Sequence, residues 1–283
     1  MIDLDYLQNF VALAFKEDIG NGDHTSFSTI PADAEGKARL LVKQEGVLAG
    51  LEVAEYIFHF FDNRLRLKFF LQDGCRVKPQ DVAFTVEGSV RSILQCERLV
   101  LNVMQHMSGI ATETAVYVDA LKGFHTQVID TRKTTPGMRL LDKAAVRIGG
   151  GSNHRTGLYD MILVKDNHID FAGGIPQAVA AVHKYLETNG MNLKIEMEAR
   201  TLEDVDCMLR TGGVHRIMLD NFDIPSTKAA VEMIAGRYET ESSGGITLAN
   251  IRDYAACGVD FISVGALTHH IKSLDMGLKA VTF

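Results

Sequence analysis

Five cationic or potentially cationic side chains fall within a short span of the chain. They are Arg132 and Lys133 in "DTRKTTPG", His154 and Arg155 in "GGGSNHR", and Lys165 in "MILVKD". Such a set suits a ligand with several carboxylates or phosphates: arginine grips a carboxylate through two parallel hydrogen bonds, and lysine acts as a point charge. Two acids follow, Glu198 in "EMEA" and Asp220 in "LDNF". They suit a magnesium ion, sugar hydroxyls or a developing positive charge. Glycines then close two apolar runs, in "ESSGG" (Ser243, Gly244, Gly245) and "SVGA" (Gly265). Exposed backbone N–H groups at such ends make a phosphate site. Together these groups point to a polyanionic small molecule meeting a phosphorylated sugar. Attack at the anomeric carbon would pass through an oxocarbenium-like state, steadied by the carboxylates, while cations and metal steady a leaving pyrophosphate.

The elements that must position these residues follow from the rhythm of the chain. From "TQVID" onward, apolar and mostly β-branched runs recur: "DMILVKD", "LKIEME", "RIMLD", "GRYETESSGG" and "DFISVGA". Between them lie helical stretches such as "GGIPQAVAAVHKYLETNG", "TLEDVDCMLRTG", "IPSTKAAVEMIAG" and "TLANIRDYAACG". Alternating strands and helices imply parallel strands with right-handed crossovers. Each run ends in polar groups, and in a βα barrel the strand ends meet at one face. About six such strands are visible, short of the usual eight, so an incomplete α/β barrel is expected. A doubly wound open sheet is the runner-up and would spread the same groups along a crevice.

The first hundred or so residues read as mixed α+β. An amphipathic opening helix precedes a turn at Gly20 and Gly22. Alternating stretches such as "KARLLVKQEGVLAG", with a bend at Gly46, imply an open mixed sheet with helices, an N-terminal α/β sandwich. From about Leu94 to Leu121 the apolar spacing becomes helical, with Arg98, Asn102 and Gln105 near one face. We expect a sandwich domain over 1–110, completed by residues 268–283, and a barrel over 111–267.

The bulk properties narrow the class. The chain has 283 residues, 46% hydrophobic and 23% charged, which excludes a disordered or fibrous protein. A net charge of −7 argues against a general nucleic-acid binder but not against a locally basic pocket. The four cysteines, Cys75, Cys96, Cys207 and Cys257, form no C-x-x-C pair, so a reducing cytoplasm is expected. The opening residues carry acids at Asp3 and Asp5 and no basic n-region, and no apolar run is long enough to span a membrane.

Each candidate also has a plainer explanation. Arg132 and Lys133 could be a solvated surface pair. Glu196 and Glu198 share one strand face, as a solvated edge strand would arrange them. A single histidine such as His154 more often packs in a core than binds a ligand. Lys165 could cap a strand and reach solvent, Asp220 could cap a turn or helix, and "SSGG" is a weak signal. Those explanations must hold independently, whereas one barrel mouth accounts for every residue.

The blocks "ERLVLNVMQHMSGIAT", "DTRKTTPGMRLLDKAAVRIGGGSNHRTGLYDMILVKDNHI", "EMEA", "LDNF", "ESSGGITL" and "DFISVGALTH" resemble, in order, the quinolinate phosphoribosyltransferases, also called carboxylating nicotinate-nucleotide pyrophosphorylases. The resemblance runs from near "KEDIGNGDHT" to the C-terminus. It implies that quinolinate and phosphoribosyl pyrophosphate give nicotinate mononucleotide, pyrophosphate and carbon dioxide, a step of de novo NAD synthesis, with magnesium assisting. It implies a homodimer with shared sites, open to higher assembly, in which Arg98 reaches the neighbouring subunit's quinolinate. Arg132 would hold a substrate carboxylate, and Lys133 would lie near the reacting centre. His154, Arg155 and Lys165 would be quinolinate-side cations. Glu198 and Asp220 would face the ribose and its metal, and Ser243, Gly244, Gly245 and Gly265 would cradle phosphate. A pyrophosphorylase-like protein associated with molybdenum transport shares "RKT" and the glycine run but lacks the "NHR" and "KDNH" pattern. The same barrel could also serve an aldolase using Lys165 for a Schiff base, or a metabolite-binding protein without catalysis. An aldolase has no evident need for so many cations, and a binding protein could dispense with Glu198 and Asp220.

Overall fold

A computed structural model describes residues 2–281. The chain opens with helices α1 (Leu4–Ile19) and α2 (His24–Thr29), then strands β1 (Glu35–Val42) and β2 (Gly46–Val47). Helix α3 (Leu51–Phe61) leads to β3 (Arg66–Phe69), β4 (Arg76–Val77) and β5 (Val82–Ser89). A long helix α4 (Val90–Ala120) precedes β6 (Gln127–Ile129) and α5 (Arg139–Ile148). There follow β7 (Ile162–Val164), α6 (Asp166–Ala172), α7 (Ile175–Thr188), β8 (Ile195–Ala199), α8 (Leu202–Thr211) and β9 (Arg216–Asp220). The chain closes with α9 (Ile224–Ile234), β10 (Glu239–Ser243), α10 (Ile251–Ala256), β11 (Phe261–Ser263), α11 (Ala266–His269) and β12 (Met276–Ala280).

Two compact units result. One takes in Met1–Ala115, Thr134–Gly150 and Leu267–Phe283; the other takes in Val116–Lys133 and Gly151–Ala266. Helix α5, for which the apolar rhythm gave no clear signal, groups with the first unit.

The first unit is built on a four-stranded sheet of order β12-β1-β5-β3. All its pairings are antiparallel, rather than mixed as expected. Its outermost strand comes from the far end of the chain, where Leu40 pairs with Leu278. Helix α1 starts where Asp3 Oδ1 accepts the Tyr6 N–H at 2.8 Å, and it buries Leu7, Val11 and Phe15, one stripe at four-residue spacing. Tyr6 Oη donates to the Gly137 carbonyl at 2.7 Å, tying the helix to the turn of "TTPG". The expected turn is present, with both Gly20 and Gly22 at positive φ.

The second unit is a six-stranded parallel sheet of order β6-β11-β10-β9-β8-β7. All six expected strands are present, and β6 and β7 are the two edges, so the barrel is incomplete. The helices between them are capped as their sequences require: Thr201 accepts from Asp204 N–H to start α8, and Asp223 accepts from Ser226 N–H to start α9. Because the strands are parallel, their pairings place Ile129, Ser263, Ser243, Asp220, Ala199 and Val164 along one edge of the sheet. No helix among the described residues is long and apolar enough to cross a membrane.

Candidate active site

That edge carries nearly every residue singled out from the sequence. Strand β6 stops at Ile129, so Arg132 and Lys133 lie beyond it, both exposed. Lys133 N–H is held by Thr131 Oγ1 at 3.1 Å. The residue just past the strand, Asp130, is 0% exposed. Its carboxylate accepts the His154 backbone N–H at 2.9 Å and Asn153 Nδ2 at 2.6 Å. Asp130 thus ties the "NHR" loop to the end of β6. Sequence reasoning overlooked this role, although an aspartate ending the apolar run "QVI" was a signal for it.

The two members of "HR" part ways. His154 is buried, and its Nε2 lies 2.9 Å from Glu196 Oε2, so its ring faces the sheet interior. Arg155 is half-buried, with Nη1 donating to the Met161 carbonyl at 3.3 Å. Burial and then the neighbouring Arg132 guanidinium press its pKa down, opposed by Glu196 and Asp160. Two guanidiniums that destabilise each other make a place where an anion relieves repulsion.

Strand β8 is buried along its whole length and lies between β7 and β9, which removes the solvated-edge explanation for Glu196 and Glu198. Period two puts both acids on one face. Val164 pairs with Met197, which brings the next residues, Lys165 and Glu198, alongside. Lys165 Nζ lies 3.5 Å from Glu198 Oε2. Burial and then Asp220 push the Glu198 carboxyl up, while Lys165 pulls it down. Asp220, half-buried at the end of β9, accepts from Asn221 Nδ2 at 2.6 Å.

The glycine turn follows directly. Asn221 N–H donates to the Ser243 carbonyl at 2.8 Å, joining the ends of β9 and β10. Gly244 and Gly245 both have positive φ, +92° and +62°, which favours glycine. A Cβ on Gly244 would sit 2.1 Å from Asn221 Oδ1 and 3.1 Å from its backbone nitrogen. Gly265 follows Val264, whose N–H donates to the Ile129 carbonyl at 2.9 Å, so the end of β11 is fastened to the end of β6. Arg98 is exposed on α4 in the first unit.

The second unit therefore presents cations, two acids and glycine amides on a single sheet edge. Helices begin soon after several of the strands, so these groups sit where barrel chemistry is ordinarily built.

Known proteins match the chain over nearly its whole length. Residues 23–108 match the N-terminal domain of quinolinate phosphoribosyl transferase, and residues 110–279 match its C-terminal domain. The mitochondrial quinolinate phosphoribosyltransferase [decarboxylating] 2 of Nicotiana glauca is 44% identical, over 98% of this chain and 82% of that protein. The nicotinate-nucleotide pyrophosphorylase [carboxylating] of Mycobacterium leprae is 40% identical, over 98% of both chains. The crystal structure of NadC from Streptococcus pyogenes superposes with a TM-score of 0.93 at 38% identity, covering 100% of this chain and 99% of that one. The chain belongs to the quinolinate phosphoribosyltransferase family.

Proposed function

We infer that the chain is a decarboxylating quinolinate phosphoribosyltransferase, joining quinolinate to phosphoribosyl pyrophosphate and releasing nicotinate mononucleotide, pyrophosphate and carbon dioxide. The observation that carries this reading is the sheet edge of the second unit, where Arg132, Arg155 and Lys165 share one face of the fold with Glu198, Asp220 and the Gly244–Gly245 turn. A pyridine diacid needs paired cations, and Arg132 and Arg155 are close enough to repel each other. The ring nitrogen would attack the anomeric carbon as pyrophosphate leaves. Glu198 and Asp220 would face the positive charge that develops on the ribose, and the amides of the glycine turn would hold its phosphate.

Magnesium belongs to this reading. Glu198 and Asp220 fit it, because Asp220 raises the Glu198 carboxyl and a divalent cation relieves two neighbouring acids. Bound beside them, the ion supplies charge neutralisation for the pyrophosphate. Two carboxylates alone do not complete its coordination, so substrate oxygens would supply the rest.

The reading extends to a homodimer in which Arg98 reaches quinolinate in the neighbouring subunit. The cysteines are free thiols, which supports a reducing compartment such as the cytoplasm. Incubation with quinolinate, phosphoribosyl pyrophosphate and magnesium should yield nicotinate mononucleotide, and nicotinate in place of quinolinate should yield none. A folded protein that makes no product from quinolinate overturns the assignment.

A further inference from the structure

Beneath the sheet edge lies a second polar layer. Glu196 on β8 and Glu241 on β10 are both 0% exposed, and Arg216 on β9 and His154 are buried beside them. His154 Nε2 lies 2.9 Å from Glu196 Oε2 and 3.6 Å from Glu241 Oε2. Arg216 Nη1 donates to Glu241 Oε2 at 2.9 Å, while its Nε and Nη2 serve Glu239. The Arg216 guanidinium also stacks 3.9 Å over the Phe261 ring.

Counting protons on these groups leaves one out of place. His154 Nδ1 accepts the Arg155 backbone N–H at 2.6 Å, so that nitrogen is bare. The ring is then neutral, with its proton on Nε2 toward Glu196. Arg216 is the remaining buried cation, shared between Glu241 and Glu239. Glu196 Oε1 and Oε2 and Glu241 Oε1 are sealed from water and receive no hydrogen bond, so the 2.9 Å approach of His154 Nε2 to Glu196 Oε2 is a close polar contact and not an aligned hydrogen bond. Two ionised carboxylates in contact here would bury an uncompensated negative charge, which costs several kcal/mol on the order of a broken buried pair.

We propose that Glu241 is a positioning residue: it stays protonated, donates to Glu196, and leaves Glu196 to hold His154 in the Nε2–H tautomer that takes the Arg155 N–H. The Arg216–Glu241 and Arg155–His154 hydrogen bonds are the two ends of this layer, and the proton on Glu241 would link them through Glu196. Burial, and then Glu196, push the Glu241 carboxyl up to about 8; Arg216 opposes, as would His154 if its ring were charged. The groups facing Glu241 are Glu196 from β8, Arg216 from β9 and His154 from the loop before β7. A metal ion is the competing occupant, since the ligand atoms of His154, Glu196 and Glu241 lie within 4.8 Å of one another. Arg216 Nη1 already serves Glu241 Oε2, and a proton between Glu241 Oε1 and Glu196 Oε1 satisfies both without a second cation. The buried proton stands on the contacts of these four side chains and on the raised Glu241 carboxyl; its consequence for Arg155 rests on the proposed function.

Infrared difference spectra of the full chain test the proton without substrate. At about pH 7, where an ordinary carboxyl is ionised, wild type minus Glu241→Gln should show one carboxylic-acid C=O band. In wild type that band should vanish as the pH is raised past about 8, a readout that survives if the variant does not fold. Histidine ¹⁵N spectra should show His154 with one bare and one protonated nitrogen in both proteins. No difference band, a doubly protonated His154, or one equivalent of divalent metal lost in Glu241→Gln overturns the proposal. Between about pH 7 and about pH 9 the wild-type quinolinate KM should rise at least about threefold, with Glu241→Gln lacking the rise. An equal rise in both proteins overturns the positioning role. Absence of any turnover indicts the proposed function, and the spectra still decide the proton.

Discussion

Lys165 Nζ and Glu198 Oε2 stand 3.5 Å apart although β7 and β8 are separated by two helices. The parallel register that sets Val164 against Met197 makes the meeting inevitable once the strands pair. Lys165 is half exposed, so the ion pair adds about 0.2–1 kcal/mol to stability at most. Its value must lie elsewhere, in charge placed where substrate arrives. Lys165→Met should therefore move the urea midpoint little, while lowering kcat/KM about a hundredfold or more. Paired unfolding curves and steady-state kinetics check this; activity lost only in step with stability would assign the pair to the scaffold.

Lys133 follows from a different fact, its exposed position past the end of β6. A side chain that far from the core can be removed without leaving a cavity. If it meets charge that develops only as pyrophosphate leaves, Lys133→Ala should reduce kcat about a hundredfold and change the quinolinate KM by less than about threefold. A KM effect with kcat preserved would make Lys133 a ground-state anchor instead.

The glycine turn makes a structural prediction. At Gly244 both the +92° φ and the 2.1 Å approach to Asn221 Oδ1 resist a side chain. Asn221 is itself tied to Asp220 at 2.6 Å, so it cannot swing aside without disturbing that acid. Gly123 offers the control: φ is +96°, but nothing lies within 4 Å of its absent Cβ. Gly123→Ala should cost only about 1 kcal/mol of backbone strain and leave activity intact. Gly244→Ala should cost more, and raise the KM for phosphoribosyl pyrophosphate. Denaturation curves for both variants, with kinetics, decide it; equal costs would mean that the Asn221 contact yields freely.

The strands of the second unit were legible because each is a short apolar run closed by polar residues, and because polar groups ending six such runs pointed to one face. The "EME" alternation placed Glu196 and Glu198 together, but nothing local said that Glu196 would be sealed in the interior. That depends on β8 having neighbours on both sides and on Arg216 and Glu241 arriving from β9 and β10, which is tertiary information. His154 shows the same limit. Its place beside Arg155 suggested a second substrate cation; that the ring lies 2.9 Å from Glu196, with Asp130 fixing its backbone, is set by the fold and not by the local sequence. The antiparallel order of the first sheet was hidden for a related reason: strand direction depends on which strands pair, and β1 lies between β5 and β12.

The proposed sharing of sites between subunits can be tested without any view of an interface. Arg98→Ala and Lys133→Ala chains should each be nearly inactive as homodimers. If Arg98 acts on the neighbouring subunit's quinolinate, a mixed dimer holds one site with both residues intact. Equal mixing then gives about half of the dimers one good site each, so about a quarter of wild-type activity should return. Chains unfolded together and refolded, or co-expressed with different tags, supply the mixture. Activity no higher than either parent would refute sharing.

Stability should also report the buried carboxyl of Glu241. Its folded pKa is raised to about 8 from 4.5, so the native state keeps a proton that the unfolded chain releases. For a raised acid this contribution is complete below the unfolded value and is lost as pH climbs through about 8. Glu196, Asp73 and Glu198 are raised as well, so the wild-type curve alone is ambiguous. The difference between wild type and Glu241→Gln isolates one group, because glutamine cannot ionise. Across about pH 5–8 the wild type should lose stability relative to the variant by up to about 1.4 kcal/mol per pH unit, the slope of one proton. Urea unfolding at several pH values measures it. Parallel curves would mean that Glu241 is ionised in the native fold, and the neutral layer beneath the site would have to be drawn again with its proton on His154.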